Sequence, residues 1–196
     1  MTNREIEQVA AIVFAKHVQR GNSHRQLASV MSAEGIKHKN VNATSVGFVG
    51  ALTRGNSGQY YIMVNQSIGN VGRRNFTIAH ELGHYYLEHI LQNASFYCSE
   101  DDIAEESHAA DGVEREANHF ASCLLIPEDK IRSAFLSMLR NSKKARNKSF
   151  LHVKNDYTFG IWRGICADLM KRYGVSDAAL RYRLMYLSLA KFEFLG

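Results

Sequence analysis

Residues 76–87 read FTIAHELGHYYL, and the interpretation of the rest of the chain depends on them. Because an α-helix makes one turn about every 3.6 residues, His80 and His84 lie one turn apart on one face of a helix. Two imidazoles at this spacing can bind one metal ion, and Glu81 is placed to accept a proton from a metal-bound water. The pattern therefore predicts two histidine ligands and a glutamate base.

The residues around this motif support a helix that packs into a protein core. Apolar side chains recur with helical spacing from before the motif to beyond it, which predicts a helix from about Arg73 to Leu91. These apolar residues are Phe76, Ile78, Ala79, Leu82, Tyr85, Leu87 and Leu91.

Composition is that of a globular protein with a substantial core. The chain has 196 residues, of which 45% are hydrophobic and 22% charged, so it is expected to form one domain or one domain with an appendage. No apolar run reaches the roughly 18 residues that a membrane span needs, and the start of the chain lacks the layout of a secretory signal. A soluble, cytoplasmic protein without a membrane partner is therefore expected.

Cysteine number and spacing predict neither disulfides nor a zinc knuckle. The three cysteines, Cys98, Cys123 and Cys166, are far apart and form no C-x-x-C pair. Buried free thiols are the expectation.

Charge is distributed unevenly along the chain. Eight of the nineteen acidic residues lie between Glu100 and Glu116, whereas a run of basic residues without acids extends from Arg140 to Lys148. We interpret the basic run, and the stretch from Gln92 to Asp111 with its acidic cluster at residues 100–106, as solvated loops. Attraction of a basic substrate is the alternative for the acidic cluster, and binding to nucleic acid or an acidic partner is the alternative for the basic run.

The first part of the chain is expected to contain two helices followed by a hairpin. An amphipathic helix is predicted from Glu5 to Arg20, and a shorter one follows Ser23 and stops at Gly35. Strands are predicted at residues 46–49 and 60–64, joined through the turn at residues 54–58. We hypothesise that the second strand, over residues 59–64, offers a free edge to an extended peptide, and an edge strand that only packs is the alternative.

A catalytic zinc normally has three protein ligands, so a third must come from elsewhere. A helix is predicted from Gly112 to Leu125, before Pro127. Its apolar stripe, extended one turn backward, reaches Glu114, whereas Glu116 lies about 100° round the helix from Ala117. Glu114 is therefore the predicted third ligand, with Glu116 as the alternative.

Several further polar residues lie near the predicted metal ligands. Asn118, one turn after Glu114, is expected to hold a ligand histidine by its second ring nitrogen. We interpret His89, His108 and His119 as surface or packing histidines. No oxyanion-stabilising residue is identified.

The C-terminal part is predicted to be helical. Two helices, at residues 161–173 and 176–189, are joined by a tight turn at residues 174–176, and their apolar positions partly match a helix-turn-helix. A DNA-binding regulator, with Arg181 and Arg183 adding charge, is therefore the alternative function. Packing of the helix pair against the core explains the same positions, which are Leu169, Tyr173, Val175 and Leu180.

Two blocks closely resemble the signature motifs of ImmA/IrrE metallopeptidases. They are residues 76–84, FTIAHELGH, and residues 114–127, EREANHFASCLLIP. The resemblance extends over about residues 5–188. Ile126 and Cys123 depart from the usual residues of the second block, but neither belongs to the predicted metal site.

The resemblance implies a fold and an activity. The expected fold is α+β, with a thermolysin-like zincin core in residues 1–130 and a helical C-terminal region, residues 131–196, packed on it. The implied activity is that of a metal-dependent endopeptidase with a metal held by His80, His84 and Glu114. Its implied substrate is a helix-turn-helix repressor, whose cleavage relieves repression of a mobile element or a stress response. Zinc suits this donor set best, and manganese is the alternative ion.

Overall fold

The structure is a computed structural model that describes residues 1–18, 23–42, 47–91, 95–99, 112–143, 145 and 148–193. It has a mixed α+β architecture, which confirms the predicted fold class. The α-helices are α1 (Asn3–His17), α2 (Leu27–Ala33), α3 (Val71–Tyr86), α4 (Gly112–Leu125), α5 (Glu128–Asn141), α6 (Asp156–Tyr173) and α7 (Asp177–Tyr186). The strands are β1 (Lys37–Val41), β2 (Phe48–Arg54), β3 (Tyr60–Asn65), β4 (Ser95–Ser99), β5 (Leu151–Val153) and β6 (Ala190–Phe192).

The main sheet has four strands in the order β1-β3-β2-β4. The predicted hairpin is confirmed, since β2 and β3 pair antiparallel with Leu52 opposite Ile62. Strand β1 pairs parallel to the other side of β3, so β3 lies inside the sheet. The expectation that residues 59–64 offer a free edge is therefore wrong. Strand β1 was not predicted because its sequence, KHKNV, is polar and mostly exposed and shows no apolar alternation.

Strand β4 lies in a stretch that was predicted to be loop. It pairs antiparallel with β2, and the register shifts between Phe48 and Gly50. The loop prediction is therefore wrong for residues 95–99. The acidic cluster at residues 100–106 and His108 lie outside the described residues.

Helix α3, which carries the HExxH motif, has definite signals at both ends. Asn70 caps it by accepting a hydrogen bond from the backbone N–H of Arg73 at 3.0 Å. The helix ends at Tyr86, and Glu88 then adopts a left-handed conformation with φ of 61°. The predicted continuation to Leu91 is wrong, because the chain turns there into a short 3-10 segment, His89–Leu91.

Helices α3 and α4 cross at very close range. A Cβ on Gly83 would stand 3.0 Å from Cα of Ala117, so glycine in α3 and alanine in α4 allow the two backbones to approach. The bounds predicted for α4 agree with the structure. This crossing brings the residues of the two signature blocks to one place.

The C-terminal helices pack on the rest of the protein through the predicted apolar positions. Leu169, Tyr173, Val175 and Leu180 are all buried. Asn75 of α3 donates a hydrogen bond to the carbonyl of Gly174 at 2.8 Å, which ties the α6–α7 turn to the motif helix. Strands β5 and β6, which were not predicted, form a small parallel sheet beside these helices.

The two arginines considered for nucleic-acid binding have partners within the protein. Arg183 is only 2% exposed and donates hydrogen bonds to the carbonyl of Ile126 and to Glu7, each at 3.1 Å. Arg181 forms an ion pair with Asp177 at 2.6 Å. Arg183 therefore cannot reach a phosphate in this conformation. The nucleic-acid alternative and the division at residue 130 stay predictions.

Within the described ranges, no helix combines the length and the apolar character that crossing a membrane requires.

Gly50 provides a test of how closely the sheet packs on α3. A Cβ there would stand 2.5 Å from Cγ2 of Thr77 and 2.9 Å from Oε1 of Glu81. We expect Gly50→Ala to destabilise the protein by about 1–3 kcal/mol through overpacking, measured by urea unfolding. The control is Gly160→Ala in α6, where a Cβ meets nothing within 4 Å and should stabilise by about 0.5–1 kcal/mol. Equal stability of the two variants would contradict this packing.

Candidate metal centre

Three potential ligand atoms meet where α3 crosses α4. Nε2 of His80 lies 3.0 Å from Nε2 of His84, and the same two nitrogens lie 3.0 and 3.4 Å from Oε2 of Glu114. All three residues are buried. The structure therefore brings together the three residues that the sequence predicted as ligands, and their donor atoms form a small triangle.

The dimensions of this triangle fit a metal ion. Zinc binds histidine nitrogen and carboxylate oxygen at about 2.0–2.2 Å, so neighbouring donors around a tetrahedral ion stand about 3.3 Å apart. The three observed separations, 3.0, 3.0 and 3.4 Å, are close to this value. Two imidazoles and one carboxylate are also a donor set that divalent zinc accepts.

The pKa shifts of Glu114 and His84 favour the binding of a metal cation. Burial alone would raise the pKa of Glu114, but the proximity of His80 and His84 outweighs burial and lowers that pKa to about 2. Burial lowers the pKa of His84 to about 4, which leaves its imidazole neutral and its lone pair available. An ionised carboxylate therefore faces a neutral ring.

His80 responds differently from His84, although the two rings are neighbours. Burial would lower its pKa, but the hydrogen bond with Glu114 and the charges of Glu81 and Glu114 together raise it. The two carboxylates therefore favour a positive charge at this position. A divalent cation bound there would supply that charge.

Glu81 lies beside this triangle with its carboxylate fully buried. Neither carboxylate oxygen makes a regular hydrogen bond to a described residue. Burial raises the pKa of Glu81 to about 7, although the charge of His80 and the proximity of the Cys98 thiol act in the opposite direction. A buried carboxyl group that titrates near neutrality is suited to accept and return a proton.

Asn118 occupies the position expected from the sequence. Its Oδ1 lies 2.8 Å from Nδ1 of His80, so the ring N–H at Nδ1 can donate to it while Nε2 faces the other ligands. Asn118 therefore fixes the orientation of one imidazole.

A second chain of hydrogen bonds, which sequence reasoning missed, supports His84. Nδ1 of His84 lies 3.0 Å from Nδ1 of His89, and Nε2 of His89 lies 3.1 Å from Oε2 of Glu116. Glu116, the alternative third ligand, thus faces His89. A spacing of five residues places His89 about 140° from His84 on a continuous helix, so helical periodicity could not reveal the contact. The left-handed Glu88 turns the chain back and creates it.

Cys98 was predicted only as a buried thiol, yet it lies at this site. It forms no disulfide, and its Sγ belongs to one group of buried ligand atoms with those of His80, His84 and Glu114, all within 4.8 Å of one another. Its strand was not predicted, so no signal in the sequence placed it there.

A second group of potential ligands lies elsewhere, at Glu7, His119 and Cys123. Burial lowers the pKa of His119 to about 4, and the guanidinium of Arg183 already pairs with Glu7. This positive charge disfavours a metal ion. His119 is therefore a packing histidine, as expected.

The sequence also matches a known family over most of its length. The profile described as Peptidase_M78, IrrE N-terminal-like domain, matches residues 39–185. This range includes α3 and α4 with His80, Glu81, His84 and Glu114. The chain belongs to this family. The resemblance found in the two signature blocks is thus confirmed, and membership of Peptidase_M78 indicates a metal-dependent peptidase. No curated protein has a significant match to the chain.

The hydrogen bonds around His84 predict how this Peptidase_M78 member holds its metal. We expect His89→Ala to weaken zinc affinity about 10- to 100-fold, because His84 then loses the acceptor that orients its ring. Glu116→Ala should weaken affinity less, and the double variant should be no weaker than His89→Ala alone. Competition with a chromogenic chelator measures each value.

The matched control for this series is His119→Ala. His119 is a buried histidine on the helix that carries Glu114, but it contacts Glu7 and Cys123 rather than a predicted ligand. Its zinc affinity should stay within about twofold of that of the unmodified chain, as for an independent site. An unchanged affinity in His89→Ala would contradict the proposed support of His84.

Proposed function

We propose that this protein is a zinc-dependent endopeptidase in which His80, His84 and Glu114 bind the metal and Glu81 is the general base. The observation that carries the proposal is the convergence of two Nε2 atoms and one carboxylate oxygen to within 3.4 Å, beside a fully buried glutamate. Manganese is the alternative ion, since the same donors accept it.

The residues of the chain account for the proton transfers of peptide hydrolysis. A bound zinc supplies Lewis acidity, which polarises the scissile carbonyl and lowers the pKa of a bound water. Glu81 accepts the proton of the attacking water on its carboxylate and then passes it to the leaving amine. Asn118 and His89 keep the two imidazoles oriented.

Strand β4 offers a place for an extended substrate. One edge of β4 pairs with β2, and no other described strand pairs with its second edge. Cys98 of β4 lies among the ligand atoms, so a peptide added along this edge would pass close to Glu81. The docking edge that we placed at β3 from the sequence thus belongs to β4 in this proposal.

The proposed substrate is a helix-turn-helix repressor, and its cleavage would relieve repression of the genes that it controls. The resemblance to ImmA/IrrE metallopeptidases supports this choice. Membership of Peptidase_M78 supports the peptidase chemistry but does not select the substrate.

One experiment tests both the chemistry and the substrate. The purified chain is incubated with a helix-turn-helix repressor encoded beside it, with and without added zinc, and fragments are identified by mass spectrometry. We expect zinc-dependent cleavage that Glu81→Gln abolishes without loss of bound zinc, since the amide cannot accept the proton. The control is Glu128→Gln, at an exposed glutamate paired with Arg132, which should cleave normally.

The outcomes separate the two parts of the proposal. Cleavage by Glu81→Gln at the normal rate would contradict its assignment as the base. Zinc-dependent hydrolysis of an unstructured protein such as casein, with the repressor left intact, would contradict the substrate and leave the peptidase in place.

A further inference from the structure

We infer that the thiolate of Cys98 is a fourth metal ligand, which competes with water for the open coordination position and holds the enzyme in a latent state. The inference rests on the proposed function, since it needs a metal at His80, His84 and Glu114. The observation behind it is that Sγ of Cys98 lies within 4.8 Å of a ligand atom of each of these three residues, and all four residues are buried.

The geometry permits coordination with little movement. Zinc binds thiolate sulfur at about 2.3 Å and histidine nitrogen at about 2.0 Å, so sulfur and nitrogen around a tetrahedral ion stand about 3.6 Å apart. Because the four ligand atoms lie within 4.8 Å of one another, sulfur and nitrogen would have to approach by about 1.2 Å at most.

The sheet directs Cys98 toward the metal site. Cys98 stands opposite Gly50 in the antiparallel pair of β4 and β2, and residues directly opposite each other lie on the same face of a sheet. The missing Cβ of Gly50 would point at α3 and stand 2.9 Å from Oε1 of Glu81. The side chain of Cys98 therefore faces α3 as well, and Gly50 leaves the room for this approach.

The chemistry of the four donors favours a closed site. Thiolate binds zinc strongly, and four protein ligands are typical of structural zinc sites, whereas a catalytic site keeps one position for water. Coordination by the Cys98 thiolate would release the thiol proton to bulk water and displace the metal-bound water, so the site would lack its nucleophile. Withdrawal of the thiol, with uptake of a proton and a water molecule, would reverse both changes.

Cobalt(II) in place of zinc tests this ligand directly. Thiolate coordination to cobalt gives an intense charge-transfer absorption in the near ultraviolet, which nitrogen and oxygen ligands do not give. We expect this band in the cobalt-loaded chain and its loss in Cys98→Ser, while the weaker visible bands of bound cobalt remain. Cys123→Ser and Cys166→Ser are the matched controls and should keep the band.

Each outcome bears on a definite part of the account. Cobalt binding without the charge-transfer band would overturn the inference and leave the proposed metal site intact. No cobalt binding at all would contradict both. In the zinc-loaded protein, Cys98→Ser should raise kcat for peptide hydrolysis, and a kcat equal to that of the unmodified chain would overturn the latent state. If Cys98→Ser does not fold, Cys98→Ala serves, and the band of the unmodified chain remains decisive.

Discussion

The structure depends on the burial of two imidazoles and two carboxylates at the crossing of α3 and α4. Ionised groups taken out of water cost several kcal/mol each unless opposite charge compensates them. His80 and Glu114 compensate each other, because each favours the charged form of the other, whereas burial raises the pKa of Glu81 to about 7. A divalent cation balances this arrangement better than any described side chain, and the proposed chemistry follows from that balance.

Close backbone approach makes this arrangement geometrically possible. Gly83 lets α3 and α4 cross nearly in contact, so ligands from the two helices share one centre. Gly50 lets the sheet pack closely on the same helix beside Glu81, and β4 then brings Cys98 to the candidate metal site. The proposed base, the proposed docking edge and the thiol are therefore positioned by the same small residues.

Sequence analysis succeeded where the determining interactions are local. The helix of the motif, the bounds of α4 and the β2–β3 hairpin follow from periodicity, caps and turn residues. The prediction of Glu114 rather than Glu116 as a ligand used rotation about a single helix, and the structure places Glu114 beside His80 and Glu116 beside His89. Strands β1 and β4 were missed because neither shows the apolar alternation that predicts a strand. Their pairing depends on backbone hydrogen bonds to neighbouring strands, which the side-chain pattern does not reveal. The contact between His84 and His89 was missed because it depends on one left-handed residue, Glu88.

The central claim is that three side chains from two helices hold one metal ion. Anomalous diffraction from a zinc-loaded crystal, recorded above and below the zinc edge, tests it most directly. The account predicts one strong anomalous peak about 2.0–2.2 Å from Nε2 of His80, Nε2 of His84 and a carboxylate oxygen of Glu114. A crystal in which these three groups point apart, with no anomalous peak among them, would contradict the account.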